Sequence, residues 1–133
     1  MMKRQVRIGR VYDDPAGDGS ARVLVDRLWP RGMTKERAGL DEWCKQVAPS
    51  SELRKWYGHA PERFAEFRHR YEAELTHGEQ AAALAHLREL AGTGPLLLLT
   101  AAKDVKISEA AVLAELLGVA NVSVGGPGDG AQP

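Results

Sequence analysis

Residues 92–102 read GTGPLLLLTAA, and this stretch decides the fold class. Gly92, Gly94 and Pro95 are helix-stopping residues, and Leu96–Leu99 then run apolar without a polar interruption. Four leucines bounded by turn residues are too few for an independent helix, so the run predicts a strand covered on both faces. Such a strand requires other elements above and below it.

The flanks supply them. Upstream, residues 79–91 carry Ala83, Leu84, Leu87 and Leu90 at helical spacing, and residues 61–75 (PERFAEFRHRYEAEL) carry Phe64, Phe67, Tyr71 and Leu75. Pro61 suits the first turn of that helix. Downstream, SEAAVLAELL (108–117) predicts a helix with Ala110, Leu113 and Leu117 on one face and Ser108 as its cap. Towards the N-terminus, ARVLVDRL (21–28) holds Val23, Leu24 and Val25 in succession, a second buried strand. KRQVRIGRVYD (3–13) alternates Val6 and Ile8 with charged neighbours, a strand with one wet side, and DDPAGDGS (13–20) is the turn after it. Thr34 is placed to cap a short helical turn, DEWCKQVAP (41–49) is expected as a strand, and SSELRKWYGH (50–59) as a short helix capped by Ser50 or Ser51 and ended near Gly58.

Strands separated by helices need crossover connections, so the expected fold is α/β: a small three-layer α/β/α sandwich with a mostly parallel sheet. One domain is expected over residues 1–120, followed by a Gly-rich tail, 121–133, without a core pattern and expected to be disordered.

Composition narrows the function. The 133 residues are 44% hydrophobic and 27% charged, which is ordinary for a globular chain that can bury a core without staples. Eighteen basic residues balance eighteen acidic ones, so the electrostatic footprint of a nucleic-acid binder is missing. No apolar run approaches a membrane span, and the N-terminus lacks the apolar stretch of a signal peptide, so the expectation is a cytoplasmic protein with no membrane partner. The single cysteine, Cys44, allows no internal disulfide and reads as an inert buried residue. His59, His69, His77 and His86 show no metal spacing, no cofactor loop of the GxxxxGK or GxGxxG type is present, and no metal or cofactor is expected.

Charge at two strand ends is the strongest pointer to a site. Asp26 and Arg27 follow the valine-rich strand, and Lys103 and Asp104 follow the leucine run. In parallel sheets ligands bind beyond the carboxyl ends of strands, where both clusters would share a rim. Arg31, Ser50 and Arg54 lie in segments that can reach the same rim. Arginine matches phosphate or carboxylate with forked donors, so the expected ligand is a small anion held by Arg27, Arg31, Ser50, Arg54 and Lys103. If the protein is catalytic, hydrolysis or transfer on such a molecule is the compatible chemistry, with Asp26 or Asp104 as candidate general base. The alternative is a non-enzymatic structural or interaction module, with a protein partner or a second copy of the chain, in which these charges are ion pairs. Trp29 and Trp56 read as packing residues.

The blocks VDRLWPRG (25–32), APSSELRKWY (48–57), FAEFRHRYEAEL (64–75) and AAKD (101–104) together resemble the YeaO-like branch of domain of unknown function family 488, over residues 10 to 117. The resemblance implies a compact α/β fold and no established activity. It places Asp26, Arg27, Trp29, Arg31, Ser50, Arg54, Lys103 and Asp104 at the characteristic positions. One departure stands out: where members typically carry Asn and then His or Gln after the AKD block, this chain has Ser108 and Glu109.

Overall fold

The computed structural model describes residues 5–13, 19–118 and, for the backbone, 122–124. Most of the expected turn DDPAGDGS and of the Gly-rich tail lies outside the described residues. Five strands, β1 (Val6–Arg10), β2 (Ala21–Leu24), β3 (Glu42–Trp43), β4 (Leu96–Thr100) and β5 (Val122–Val124), form one sheet in the order β3-β2-β4-β1-β5. Every pairing among them is parallel. The fold is thus the small α/β type expected. β5 extends the sheet along β1.

The leucine run occupies the centre. Its register sets Leu98 beside Ile8 on one flank and Val23 on the other, and all five residues of β4 are buried. Alternation divides the sheet's side chains between two faces. Val6, Ile8, Val23, Val25, Leu96 and Leu98 face one layer; Leu24, Leu97 and Leu99 face the other.

The first layer is built from α2 (Ser51–Tyr57), α3 (Phe64–Glu74), α4 (Gly78–Thr93) and α5 (Glu109–Leu117). Phe67, Tyr71 and Leu75 from α3, Leu84 and Leu87 from α4, and Leu113 and Leu117 from α5 form its core. Phe67 stacks on Tyr57 at 4.2 Å and on Tyr71 at 5.6 Å. The Tyr71 hydroxyl donates to the Val47 carbonyl, which satisfies a phenol that is otherwise wholly buried. The second layer is thin. It consists of α1 (Lys35–Ala38) and the loop before it, with Met33 and Ala38 buried against Leu24, Leu97 and Leu99. Trp29 and Trp43 meet edge to face at 5.3 Å on this side. Their indole nitrogens donate to Met33 O at 2.6 Å and Asp26 O at 2.8 Å, as packing tryptophans do.

Two caps follow the expectation and one does not. Thr34 and Ser50 accept from Arg37 N and Leu53 N, both at 3.1 Å. Gly58 ends α2 at φ 54°, a left-handed conformation that favours glycine. Ser108 precedes α5, but its hydroxyl donates to Val105 O at 2.7 Å and caps no helix amide. The strand expected in residues 41–49 is only Glu42–Trp43; the chain then tightens into a 3-10 turn, Lys45–Val47, that leads into α2.

Candidate functional site

The sheet topology opens a crevice at one place. The neighbours β2 and β4 are parallel, yet the chain leaving β2 crosses to the thin layer while the chain leaving β4 enters the helical layer through α5. Diverging exits from adjacent parallel strands leave a gap beyond their carboxyl ends, the usual location of a ligand in an open α/β sheet. A cavity of about 440 Å³ lies there.

Its walls come from four segments. The β2 exit contributes Asp26 to Arg31, α2 contributes Arg54, Lys55 and Tyr57, the β4 exit contributes Thr100 to Ala102, and α5 contributes Glu109. Tyr12, Pro49, His59 and Phe67 complete the lining. The expected residues Asp26, Arg27, Arg31 and Arg54 therefore meet in one cavity.

The others go elsewhere. Ser50 caps α2 and donates to Glu74 Oε2 at 2.6 Å, while its backbone amide donates to Glu74 Oε1 at 2.9 Å, so its hydrogen bonds run into the fold. Lys103 and Asp104 are exposed and outside the lining. Asp104 accepts from Lys106 N at 3.1 Å and so caps the 3-10 turn Val105–Ile107. The strand ends at Thr100, and Ala101 and Ala102 carry the chain over the rim before Lys103 is reached. Arg10 fixes that exit by donating to Ala102 O at 3.1 Å.

The ion-pair reading of the rim has a specific structural expectation, a carboxylate on Arg27 or Arg54. Among the described residues neither arginine makes an ion pair; the pairs present are Arg68–Glu115, Arg70–Glu66 and His86–Glu42. Arg27 donates to Ala48 O at 3.2 Å and Arg54 to Ser51 Oγ at 3.3 Å. Each of the two retains a buried Nε without a hydrogen-bond partner. A buried N–H left unmade costs about 1–3 kcal/mol, and Arg68, outside the cavity lining, carries a third such Nε.

Asp26 is not paired with its neighbour Arg27. Its carboxylate accepts from Thr100 Oγ1 and from Ala101 N, both at 2.8 Å, which ties the β2 exit to the β4 exit. With both oxygens engaged, Asp26 is a rim-fixing group. Beside it, the Glu109 carboxyl is held well above the usual carboxylate range, first by burial, then by a hydrogen bond to Asp26 and that group's like charge, against the pull of Arg54. Glu109 thus holds its proton to higher pH than an ordinary glutamate does. Four cationic side chains, Arg27, Arg31, Arg54 and Lys55, share the lining with the carboxyls of Asp26 and Glu109. Tyr57 is pushed up to about 12 by burial and then by Asp104 and Glu109, so it stays a neutral phenol and donates to Ile107 O.

Glu109, Lys55, Tyr57 and His59 were not among the residues expected at the site. For Glu109 a signal existed: it opens a helix that directly follows a charged strand exit. Cys44 is buried, and burial followed by the charge of Glu42 pushes its thiol up to about 11, so it is no nucleophile.

Comparison with known proteins gives a consistent relationship. The family described as "Inactive DUF488-N3 subclade" matches residues 5–127. An uncharacterised protein of Mycobacterium tuberculosis is 52% identical over 113 residues, covering 85% of this chain and 93% of that protein. The uncharacterised protein YeaO of Escherichia coli K12 is 43% identical over 112 residues, covering 84% and 96% respectively. No solved structure shows a significant match.

Proposed function

As the chain belongs to the DUF488 family, and the matching subclade is described as inactive, we propose that it binds a small anion without turning it over. The anion, a phosphate or a carboxylate, sits between Arg27 and Arg54 at the rim of β2 and β4, with Arg31 and Lys55 adding positive potential at the mouth. The observation that carries this reading is the pair of guanidinium groups lining one cavity, each with a buried, unpartnered Nε and neither in an ion pair among the described residues. A cytoplasmic location is part of the proposal, in keeping with a single, buried cysteine.

A second reading, hydrolysis or group transfer on the bound anion, rests on the Asp26–Glu109 pair. A protonated carboxyl beside an anion site is the arrangement of a general acid. The engaged oxygens of Asp26 and the description of the subclade both weigh towards binding alone.

Thermal-shift measurements with inorganic phosphate, sulfate and acetate test the proposal on the wild type, Arg27→Gln and Arg54→Gln. A ligand at ten times its Kd adds about 1.4 kcal/mol of stability, which moves Tm by several degrees in a domain of this size. The shift is expected in the wild type and absent from both variants, while the unliganded variants melt within a few degrees of the wild type. Unchanged melting of the wild type in all three anions, with both variants strongly destabilised, would return the arginines to a structural role.

A further inference from the structure

Three of the aromatic residues around the cavity have committed their donors within the fold. Tyr12 donates its hydroxyl to Arg31 O at 2.9 Å, Trp29 donates its indole N–H to Met33 O at 2.6 Å, and Tyr57 donates to Ile107 O. None of these three donors is left for a ligand, so towards the cavity the rings present apolar surface. Polar recognition falls to the arginines, with Lys55 and His59 in the same lining.

Leu28 belongs to the same lining. It is 67% exposed, and among the described residues no other large hydrophobic side chain is exposed. A lone exposed leucine on a convex surface means little. This one lies in the wall of a concave site, between Arg27 and Trp29, with Pro30 continuing the same ledge. The cavity therefore combines cationic side chains with an exposed apolar one, the combination that ligand sites use to hold an ionised head and an uncharged body.

We propose that the ligand is an organic anion, a phosphate monoester or carboxylate bearing an apolar, ring-sized body, and that the body lies on the Leu28–Pro30 ledge while the head meets Arg27 and Arg54. The inference rests on the anion site proposed above and specifies its ligand class. An inorganic anion would fill only part of a cavity of about 440 Å³ and leave Leu28 in water. A ring-bearing ester fills more of it and covers Leu28. The head can be either oxyanion, since forked guanidinium donors fit both.

Two matched probe pairs separate head from body: methyl phosphate against phenyl phosphate, and acetate against phenylacetate, titrated calorimetrically into the full chain. The ring-bearing member of at least one pair is expected to bind about tenfold tighter than its partner, the gain from taking one ring face out of water. The pair that responds identifies the head. In Leu28→Ala the ratio within that pair is expected to fall towards one, and because Leu28 is exposed this variant keeps the wild-type fold. Equal affinities within both pairs would overturn the ligand class and leave the anion site standing. No binding of any of the four probes would remove both.

Discussion

Replacing Glu109 by Gln separates the Asp26–Glu109 pair from every other feature of the rim. In the unfolded chain Glu109 titrates at its ordinary value, 4.5, whereas in the folded protein its carboxyl is held well above that. Below pH 4.5 both states are protonated and the group is neutral with respect to stability. Above it the unfolded chain gives up the proton that the folded chain keeps, so stability falls by about 1.4 kcal/mol for each pH unit until the folded carboxyl ionises. Because two carboxyls share the site, the slope belongs to the pair. The glutamine side chain cannot ionise, yet its amide still offers Asp26 a donor. The variant is therefore expected to match the wild type near pH 4.5 and to become progressively more stable relative to it as pH rises. The difference grows with pH until the folded carboxyl ionises. Urea unfolding at pH 5, 6 and 7, followed by the fluorescence of the three tryptophans, measures it directly. Unfolding free energies that differ by a constant across this range would show that Glu109 is ionised in the folded protein and that no proton is held at the pair.

Ser50→Ala removes both the cap of α2 and the hydroxyl bonded to Glu74, and urea unfolding should register a loss of about 1–2 kcal/mol with ligand binding retained. Cys44, buried and with its thiol at about 11, should resist iodoacetamide at pH 8 in the folded protein and react fully in 6 M guanidinium, with labelling followed by mass spectrometry; rapid native labelling would place the thiol at the surface.

The parts of the fold that were legible in the sequence are those where local pattern and tertiary context agree. Leu96–Leu99 could be only a buried strand, and the stripe Phe67, Tyr71 and Leu75 only a core-facing helix, because one periodicity explained each segment. Residues 41–49 were misread as a full strand because Trp43, Lys45 and Val47 alternate like one. The pairing of β3 with β2 spans only Glu42 and Trp43, after which the chain must descend towards α2. The site divided in the same way. Asp26 and Arg27 follow the last strand residue, Leu24, so closely that their place at the rim was fixed, whereas Lys103 and Asp104 follow two alanines that carry them past it. Glu109 stood out only as a departure from the family pattern and was not placed at the rim, because its neighbours Asp26 and Arg54 come from the β2 exit and α2, far away in the chain.

Arg27 and Arg54 carry the account, and the position of an anion between them can be observed directly. A crystal of the full chain soaked in selenate and measured at the selenium edge is expected to show anomalous density within hydrogen-bonding distance of both guanidinium groups, beyond the carboxyl ends of β2 and β4. In Arg54→Gln crystals treated identically that peak should disappear. Selenate confined to surface lysines and arginines, with the β2–β4 cavity empty in the wild type, would contradict the account.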